Sequence, residues 1–297
     1  MGFCVEIDGW LRNKVVNLSY SIIEIITLLN LKLCNQILRK AILFKLTYQV
    51  SLTVVRRESM LFFISGTLIA SFMFVVSCSE KINFRFLSRR SRCDYCLKNL
   101  SWLELIPIIS FLALRGKCRN CKTKLASGCL YVEIILGVSF TLPLFFTLEA
   151  EYYTHYFLIV SFLIPLSIID YEQLIVPNHM LVLLSICSVI LFPIYSSYFW
   201  LKLIIIFLIL KVYPYFSKFI GFGDVKLFMI LFLIFPANIF LLIFLSTFII
   251  GGLAAIIFEV ILKDKNTVYP LVPFITTAFI IVMINLKELK IIFGGLL

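Results

Sequence analysis

Long apolar segments recur along most of this chain, and no other feature constrains its fold as strongly. Phe alone accounts for 30 of the 297 residues, and the mean hydropathy is +1.06. Charged residues make up 14% of the chain, whereas they make up about a quarter of a soluble domain. These values exclude a disordered chain, a collagen-like fibre and an ordinary cytosolic enzyme. They predict an all-α polytopic membrane protein, because apolar runs of this length are typical of transmembrane helices.

From Met60 onward, the apolar segments predict about eight transmembrane helices. One of them, which ends at Pro236, is short for a bilayer whose hydrocarbon core is about 30 Å thick. The predicted spans are residues 61–78, 130–148, 156–171, 179–198, 199–217, 225–237, 239–262 and 271–292.

The first 59 residues differ from the rest, because charged residues interrupt their Ile and Leu runs. An amphipathic surface helix between Ser19 and Leu46 is one interpretation. The favoured alternative is that translation begins at Met60, where the first clean apolar run starts. Residues 1–59 are then an N-terminal extension upstream of the true start.

Basic residues are concentrated in one polar segment, residues 79–128. It holds eleven Lys or Arg and three Asp or Glu, which supplies most of the net charge of +11. A basic balance can indicate nucleic-acid binding, but the positive-inside rule is the better explanation and places the segment in the cytoplasm. We therefore predict a first transmembrane helix at 60–78, a cytoplasmic loop at 79–128 and a membrane core at 129–297. The expected partner of the basic surface is the lipid bilayer, and no nucleic-acid partner is expected.

Four cysteines in this loop form two CxxC pairs with 21 residues between them, namely Cys93, Cys96, Cys118 and Cys121. Two thiolates three residues apart on a tight turn can bind one metal, and two such pairs complete a tetrahedral set. A structural zinc ion is favoured over a redox dithiol or incidental cysteines, because four thiol ligands leave no position for water. A loop of this size has too little core to fold alone, so a metal staple is physically reasonable.

Two aspartates stand at predicted ends of membrane spans on the same face. Asp170 is at the end of the third span, and Asp224 begins the sixth within Gly221-Phe-Gly-Asp-Val-Lys226. Ionisable groups at such positions are functional hypotheses by default, and two carboxyl groups that share one proton are typical of aspartyl proteases. Because Asp170 lies at a helix C-terminus and Asp224 at a helix N-terminus, we expect Asp170 to hold that proton. Gly221 and Gly223 allow a backbone turn and a close approach of another segment.

Other interpretations of these acids stay open at this point. Asp224 could be only an N-cap, and Asp170 could be a solubilising residue at a loop edge. A cation transporter is a further alternative, although the middle of the spans is mostly Ile, Leu and Phe. The rival acids are Glu133, Glu172, Glu259 and Asp264.

Taken together, these motifs resemble the bacterial type IV prepilin leader peptidases. The resemblance is carried by the four-cysteine segment from Arg92 to Glu133, by Asp170 followed by Ile-Val-Pro177, and by the Gly-x-Gly-Asp-Val-Lys motif that ends at Lys226. It extends roughly from residue 60 to residue 297. Other membrane proteases share the Gly-x-Gly-Asp motif but lack the four-cysteine loop.

The resemblance implies a multi-pass peptidase of the bacterial inner membrane, with its active site on the cytoplasmic side. Its substrates would be prepilins or pseudopilins of type IV pili, type II secretion or competence machines. They would be cut after a Gly at the end of a short basic leader, on the cytoplasmic side of the pilin's hydrophobic helix. It implies that Asp170 and Asp224 are the catalytic pair and that the four cysteines bind the metal. Gly221, Gly223 and Lys226 are expected to support the site.

Glu133 is a further expected support residue. Many family members also methylate the new N-terminus with S-adenosylmethionine, which makes this cosubstrate a second expectation. The alternative function is a non-enzymatic, zinc-stapled membrane scaffold for pilus or secretion assembly.

The chain departs from the family pattern in three places. Asn178 follows Pro177 where the family usually has Asp. The first span reads Ala70-Ser-Phe-Met-Phe74, without the usual Asn, and a late Pro-Phe-Gly-Pro element is reduced to Pro270-Leu-Val-Pro. None of the three replaces a member of the carboxyl pair, so peptidase activity is expected and methylation is less strongly supported.

Overall fold

The computed structural model describes residues 56–79, 90–93, 95–125, 127–146, 148–191, 199–216, 220–262 and 269–292. Within these ranges the regular structure is helical, apart from two isolated β-bridges, so the predicted all-α class is confirmed. The amphipathic helix proposed for the N-terminal extension lies outside the described residues.

Ten α-helices and two short 3₁₀ turns are described. The turns are Trp102–Leu105 and Ala150–Tyr152. The helices are α1 Arg56–Cys78, α2 Ile109–Ala113, α3 Ser127–Phe145, α4 Tyr153–Gln173, α5 Asn178–Leu191, α6 Phe199–Phe216, α7 Phe222–Ile234, α8 Ala237–Leu262, α9 Val272–Ile284 and α10 Leu286–Ile292.

Four stretches of helix are long and apolar enough to cross a membrane. They are Arg56–Cys78, Ser127–Phe145, Ala150–Gln173 and Ala237–Val260. Helices α5 and α9 are shorter apolar helices. These lengths and compositions agree with the predicted multi-pass membrane protein.

Two predicted spans differ in detail from the helices. The span 225–237 is helix Phe222–Ile234, and it ends before Pro236 because a proline pushes its preceding residue, here Phe235, into extended backbone. The span 271–292 is divided between α9 and α10 at Asn285. The Asn285 side-chain amide donates to the carbonyl of Ile281 over 2.9 Å, as polar side chains commonly do where a helix ends.

Helix α4 lies at the centre of the bundle. It packs against α3 and α9, and every residue from Ile159 to Ser167 is buried. Tyr156 is buried as well and donates its hydroxyl to the carbonyl of Ser139 in α3 over 2.9 Å. Asp170, near the end of α4, therefore belongs to the most enclosed helix of the described structure.

Helices α6 and α7 are joined, at the end farther from Asp224, by a buried lysine that no sequence motif marks. The Lys202 ammonium donates to the carbonyls of Phe235 (2.7 Å) and Leu233 (3.3 Å) at the end of α7. These carbonyls have no partner within a helix, and a cation at a helix C-terminus is favourable. Lys202 thus closes the end of α7 and fixes α6 beside it.

Candidate active site

Asp170 is buried at the C-terminal end of α4, with 5% of its surface exposed. The helix ends four residues later at Leu174, which adopts a left-handed conformation (φ 55°) and donates its N–H to the Asp170 carbonyl over 2.8 Å. The chain then leaves the helix through Val176 and Pro177. The side chain of Asp170 stays inside the bundle while the following segment turns away.

One oxygen of Asp170 accepts a backbone hydrogen bond from the start of α9. The N–H of Val272 donates to Asp170 Oδ2 over 3.0 Å. The first N–H groups of a helix have no partner within that helix, and they favour a negative charge. The segment Pro270–Pro273, which departs from the family pattern, thus has a role that sequence reasoning missed. The available signal was Pro273 itself, since proline is common in the first turn of a helix.

Asp224 lies in the first turn of α7, as predicted. Its Oδ1 is buried and has no hydrogen-bond partner within the described part of the chain. The start of α7 packs against the segment that follows Asp170, and the charge of Asp170 acts on the Asp224 carboxyl group. The structure thus places in one region the two aspartates that were paired from the sequence, although they are 54 positions apart in the chain.

The two glycines before Asp224 have different roles. A Cβ atom on Gly221 would lie 3.0 Å from Asp224 Oδ2, so glycine leaves room for the carboxyl group. A Cβ atom on Gly223 would lie 2.8 Å from the Cβ of Val176. Glycine is needed there because α7 passes this close to the segment that follows Asp170.

Lys226 connects α7 to the segment that follows Asp170, through a contact on the protein surface. Its ammonium donates to Asn178 Oδ1 over 2.8 Å and lies 4.2 Å from the centre of the Phe222 ring. Both contacts are favourable for a partly exposed ammonium group. Asn178, which departs from the family pattern, thus still supplies the acceptor that Lys226 requires.

Glu133 forms its hydrogen bonds with Ile108 and Cys129 rather than with the two aspartates. It is buried in α3, and its Oε2 accepts the N–H of Ile108 over 2.7 Å. Its other oxygen accepts the thiol of Cys129. Glu133 therefore attaches the four-cysteine loop to α3, and its expected support of the catalytic site stays a prediction.

The remaining rival acids do not join the pair. Glu172 and Glu259 are exposed. Asp264 lies outside the described residues.

The four loop cysteines converge as predicted. The sulfur atoms of Cys93, Cys96, Cys118 and Cys121 all lie within 4.8 Å of one another, and those of Cys93 and Cys121 are 3.8 Å apart. In a tetrahedral site with Zn–S bonds of about 2.3 Å, neighbouring sulfur atoms lie roughly 3.8 Å apart. The cluster can therefore hold a metal ion, and its all-thiol donor set suits zinc.

The two CxxC turns have the same backbone hydrogen bond. In the first turn, the N–H of Leu97 donates to the Cys93 carbonyl over 2.9 Å, and in the second, the N–H of Lys122 donates to the Cys118 carbonyl over 3.0 Å. Both donors have positive φ, 57° and 59°. Hydrogen bonds from Thr123 lower the pKa of the Cys121 thiol to about 6, which favours the thiolate that binds metal.

Two family models match most of the described chain. The bacterial Peptidase A24 N-terminal domain matches residues 64–147, and the type IV leader peptidase family matches residues 157–256. The two matches cover more than half of the chain, and they include both CxxC pairs and both aspartates. No solved structure matches the chain significantly.

Several curated proteins share segments with this chain. A prepilin leader peptidase/N-methyltransferase of Myxococcus xanthus is 34% identical over 125 residues, which is 40% of this chain and 36% of the relative. One of Bacillus subtilis is 28% identical over 129 residues, 40% of this chain and 48% of the relative. One of Neisseria gonorrhoeae is 31% identical over 101 residues, which is 34% of this chain and 35% of the relative. The matches thus span less than half the length of each of these relatives.

Proposed function

This chain belongs to the type IV leader peptidase family, and from that premise we propose that it is a membrane aspartic endopeptidase that removes the leader from prepilins or pseudopilins. The observation that carries the proposal is the close packing of the start of α7, which carries Asp224, against the segment that follows Asp170 in α4. Asp170 is buried and so is one oxygen of Asp224, and two such carboxyl groups whose charges interact cannot both ionise easily, so we assign one shared proton to the pair. This is the arrangement that aspartyl proteases use.

The hydrogen bonds favour one distribution of that proton. Asp170 accepts the Val272 N–H at the start of α9, which stabilises its ionised form. Asp224 has a buried oxygen without such a donor in the described chain, so the proton is placed on Asp224. This reverses the assignment drawn from the two helix ends alone, because that argument could not include a third helix.

The proposed reaction follows from this assignment. Asp170 takes a proton from a water molecule as that water attacks the scissile carbonyl carbon. Asp224 donates a hydrogen bond, and then its proton, to the carbonyl oxygen. When the tetrahedral gem-diol intermediate collapses, the proton on Asp170 passes to the leaving amine, the C–N bond breaks, and one hydroxyl of the gem-diol returns its proton to Asp224 as the carbonyl re-forms. A new carboxyl terminus and a new amino terminus are released.

The position of the pair suits a substrate that is cut at the membrane edge. Asp170 lies at the end of a helix long enough to span, and Asp224 lies in the first turn of the 13-residue helix α7. We place this edge on the cytoplasmic face of the bacterial inner membrane, because the basic loop follows α1 on the same side. The substrate would be cleaved after a Gly that ends a short basic leader.

The four cysteines are proposed to bind a structural zinc ion. Zinc would hold the two CxxC turns together and leave the cleavage chemistry to the carboxyl pair. N-methylation of the new N-terminus, with S-adenosylmethionine as the methyl donor, is proposed as a second activity. It is supported by the combined names of the matched relatives.

Coexpression of this chain with a candidate prepilin tests the proposal. We expect the wild type to remove the leader, and Asp170→Asn and Asp224→Asn each to abolish removal while the protein still accumulates in the membrane. A gain of one methyl mass on the mature N-terminus would identify the second activity. If both Asn variants keep full function, the non-enzymatic scaffold is the correct interpretation.

A further inference from the structure

An apolar groove lies between α6 and α7, and residues on both sides of the Gly-Phe-Gly-Asp224 segment contribute to its wall. It encloses about 370 Å³, which is within the usual size of a binding pocket. Its lining residues are Leu208, Ile209, Val212, Tyr213, Ile220 and Val225. Five of the six carry only hydrocarbon side chains.

The groove adjoins the catalytic motif directly. Ile220 precedes Gly221, and Val225 follows Asp224, so both ends of the motif contribute to its wall. Tyr213 braces this wall, because its hydroxyl donates to the Ile220 carbonyl over 3.4 Å and its ring lies 4.8 Å from the ring of Phe222. With that hydroxyl already bonded, the groove offers an almost entirely apolar surface.

The groove also runs in a definite direction. Its four residues on α6 begin three positions from the helix end at Phe216 and extend back to Leu208. At 1.5 Å per residue, the groove reaches about 12 Å from that end along the helix. It therefore leads from the Asp224 end of α7 towards the middle of α6, which is the direction from the membrane edge into its apolar interior.

We propose that this groove binds the apolar helix that follows the scissile bond of the prepilin substrate. The scissile bond then lies at Asp224, and the substrate enters the membrane along α6. A groove without polar partners suits an apolar helix, whose backbone groups are already paired within the helix. It is unsuited to the basic leader, which lies on the other side of the cut. The inference rests on the proposed peptidase function and adds the surface that positions its substrate.

The test compares two substrates with two matched variants. One substrate is a full-length prepilin in proteoliposomes, and the other is a short peptide that ends a few residues beyond the scissile bond. Val212→Trp fills the groove. Ile204→Trp adds the same ring on the same helix, at a residue that is similarly exposed but does not line the groove (57% against 45%).

For Val212→Trp we expect KM for the full-length prepilin to rise about tenfold with kcat nearly unchanged, since most of the apolar contact is lost. Cleavage of the short peptide should match the wild type, which also shows that the variant is folded. Ile204→Trp should behave as the wild type with both substrates. An unchanged KM for Val212→Trp, or equal effects of the two Trp variants, would mean that lipid alone occupies the groove and would overturn the inference.

A photocrosslinking residue at position 212 supplies a second measurement that does not depend on turnover. In the Asp224→Asn background it should capture the prepilin through the apolar helix, whereas the same residue at position 204 should not. Failure to capture at position 212 overturns the groove assignment even when the wild type cleaves. If the wild type cleaves neither substrate, the peptidase proposal fails, and the groove inference fails with it.

Discussion

At the scale of single residues, the carboxyl pair depends on one donor that belongs to the backbone. The N–H of Val272 reaches Asp170 from a helix 102 positions away in the chain. A hydrogen bond to a charged group contributes about 1.5–3 kcal/mol. Because no side chain supplies it, the sequence marks only the helix start, through Pro273 in the first turn of α9, and not the contact with Asp170.

Removal of this N–H alone should slow cleavage. Replacement of Val272 by its α-hydroxy analogue turns the N–H into an ester oxygen and leaves the side chain in place. We expect kcat to fall roughly tenfold or more, because Asp170 loses a donor that favours its ionised form. The same replacement at Ala237, an exposed first residue of α8, is the control and should leave kcat unchanged. A normal kcat for the Val272 analogue would contradict the role assigned to this hydrogen bond.

The contact between Lys226 and Asn178 is a second residue-scale feature. It joins the segment after Asp170 to the helix that carries Asp224, and it is partly exposed. We expect Lys226→Ala and Asn178→Ala each to lower kcat about threefold, since exposed hydrogen bonds contribute little. The double variant should lose no more than either single variant, because each removes the same contact.

Asn178→Asp keeps an acceptor for Lys226 and should retain activity. Lys290→Ala provides the matched control, because Lys290 also bridges two segments, through a 2.7 Å contact with Glu149 near the other end of α4. Fully additive losses in the double variant would show that the two residues act separately.

At the scale of secondary-structure elements, the approach of α7 to the segment after α4 decides the geometry of the pair. Gly223 permits this approach, because a methyl group there would overlap Val176. We expect Gly223→Ala to reduce cleavage at least tenfold by displacing the start of α7. Replacement of Val176 by Gly in the same protein should restore part of the activity, and kcat is the quantity to measure.

Gly252 in α8 offers a matched control for this substitution. A Cβ atom there would meet nothing within 4 Å. Gly252→Ala should therefore keep full activity and slightly raise thermal stability, since Ala is favoured over Gly in a helix by up to about 1 kcal/mol. If Gly223→Ala is as active as Gly252→Ala, close packing at Val176 does not control the site.

At the scale of the whole molecule, the cysteine loop is held at two places. The cluster of four thiols closes the loop on itself, and Glu133 attaches it to α3 through the N–H of Ile108. Loss of the metal should loosen the first of these connections and leave the second. The loop would then stay tethered to the membrane core while its own fold is lost.

Metal analysis tests this arrangement. We expect the purified wild type to contain about one zinc ion per chain, and Cys93→Ser or Cys118→Ser to contain almost none. Proteolysis between residues 90 and 125 should become much faster in these variants. Cys187→Ser is the control, since Cys187 lies in α5 outside the cluster and its loss should leave zinc content unchanged. Full zinc content in Cys118→Ser would refute the four-thiol site.

Features that depend on residues close together in the chain could be predicted from the sequence alone. The length of the apolar runs predicted the helical membrane class, and the CxxC spacing predicted the convergence of the four thiols, because each depends largely on residues a few positions apart. The glycines before Asp224 marked a close approach for the same reason. The helices departed most from prediction at two local features, Pro236 after the end of α7 and the Asn285 side chain between α9 and α10.

Contacts between distant segments were decided by the tertiary structure. The Val272 N–H at Asp170, the Asn178 acceptor for Lys226 and the attachment of Ile108 to Glu133 join residues 102, 48 and 25 positions apart. Two of the three use a backbone N–H, which every residue except proline carries and which therefore leaves no mark on the sequence. Which of these groups meets a given carboxyl oxygen depends on how the helices pack, and that packing sets which aspartate holds the proton.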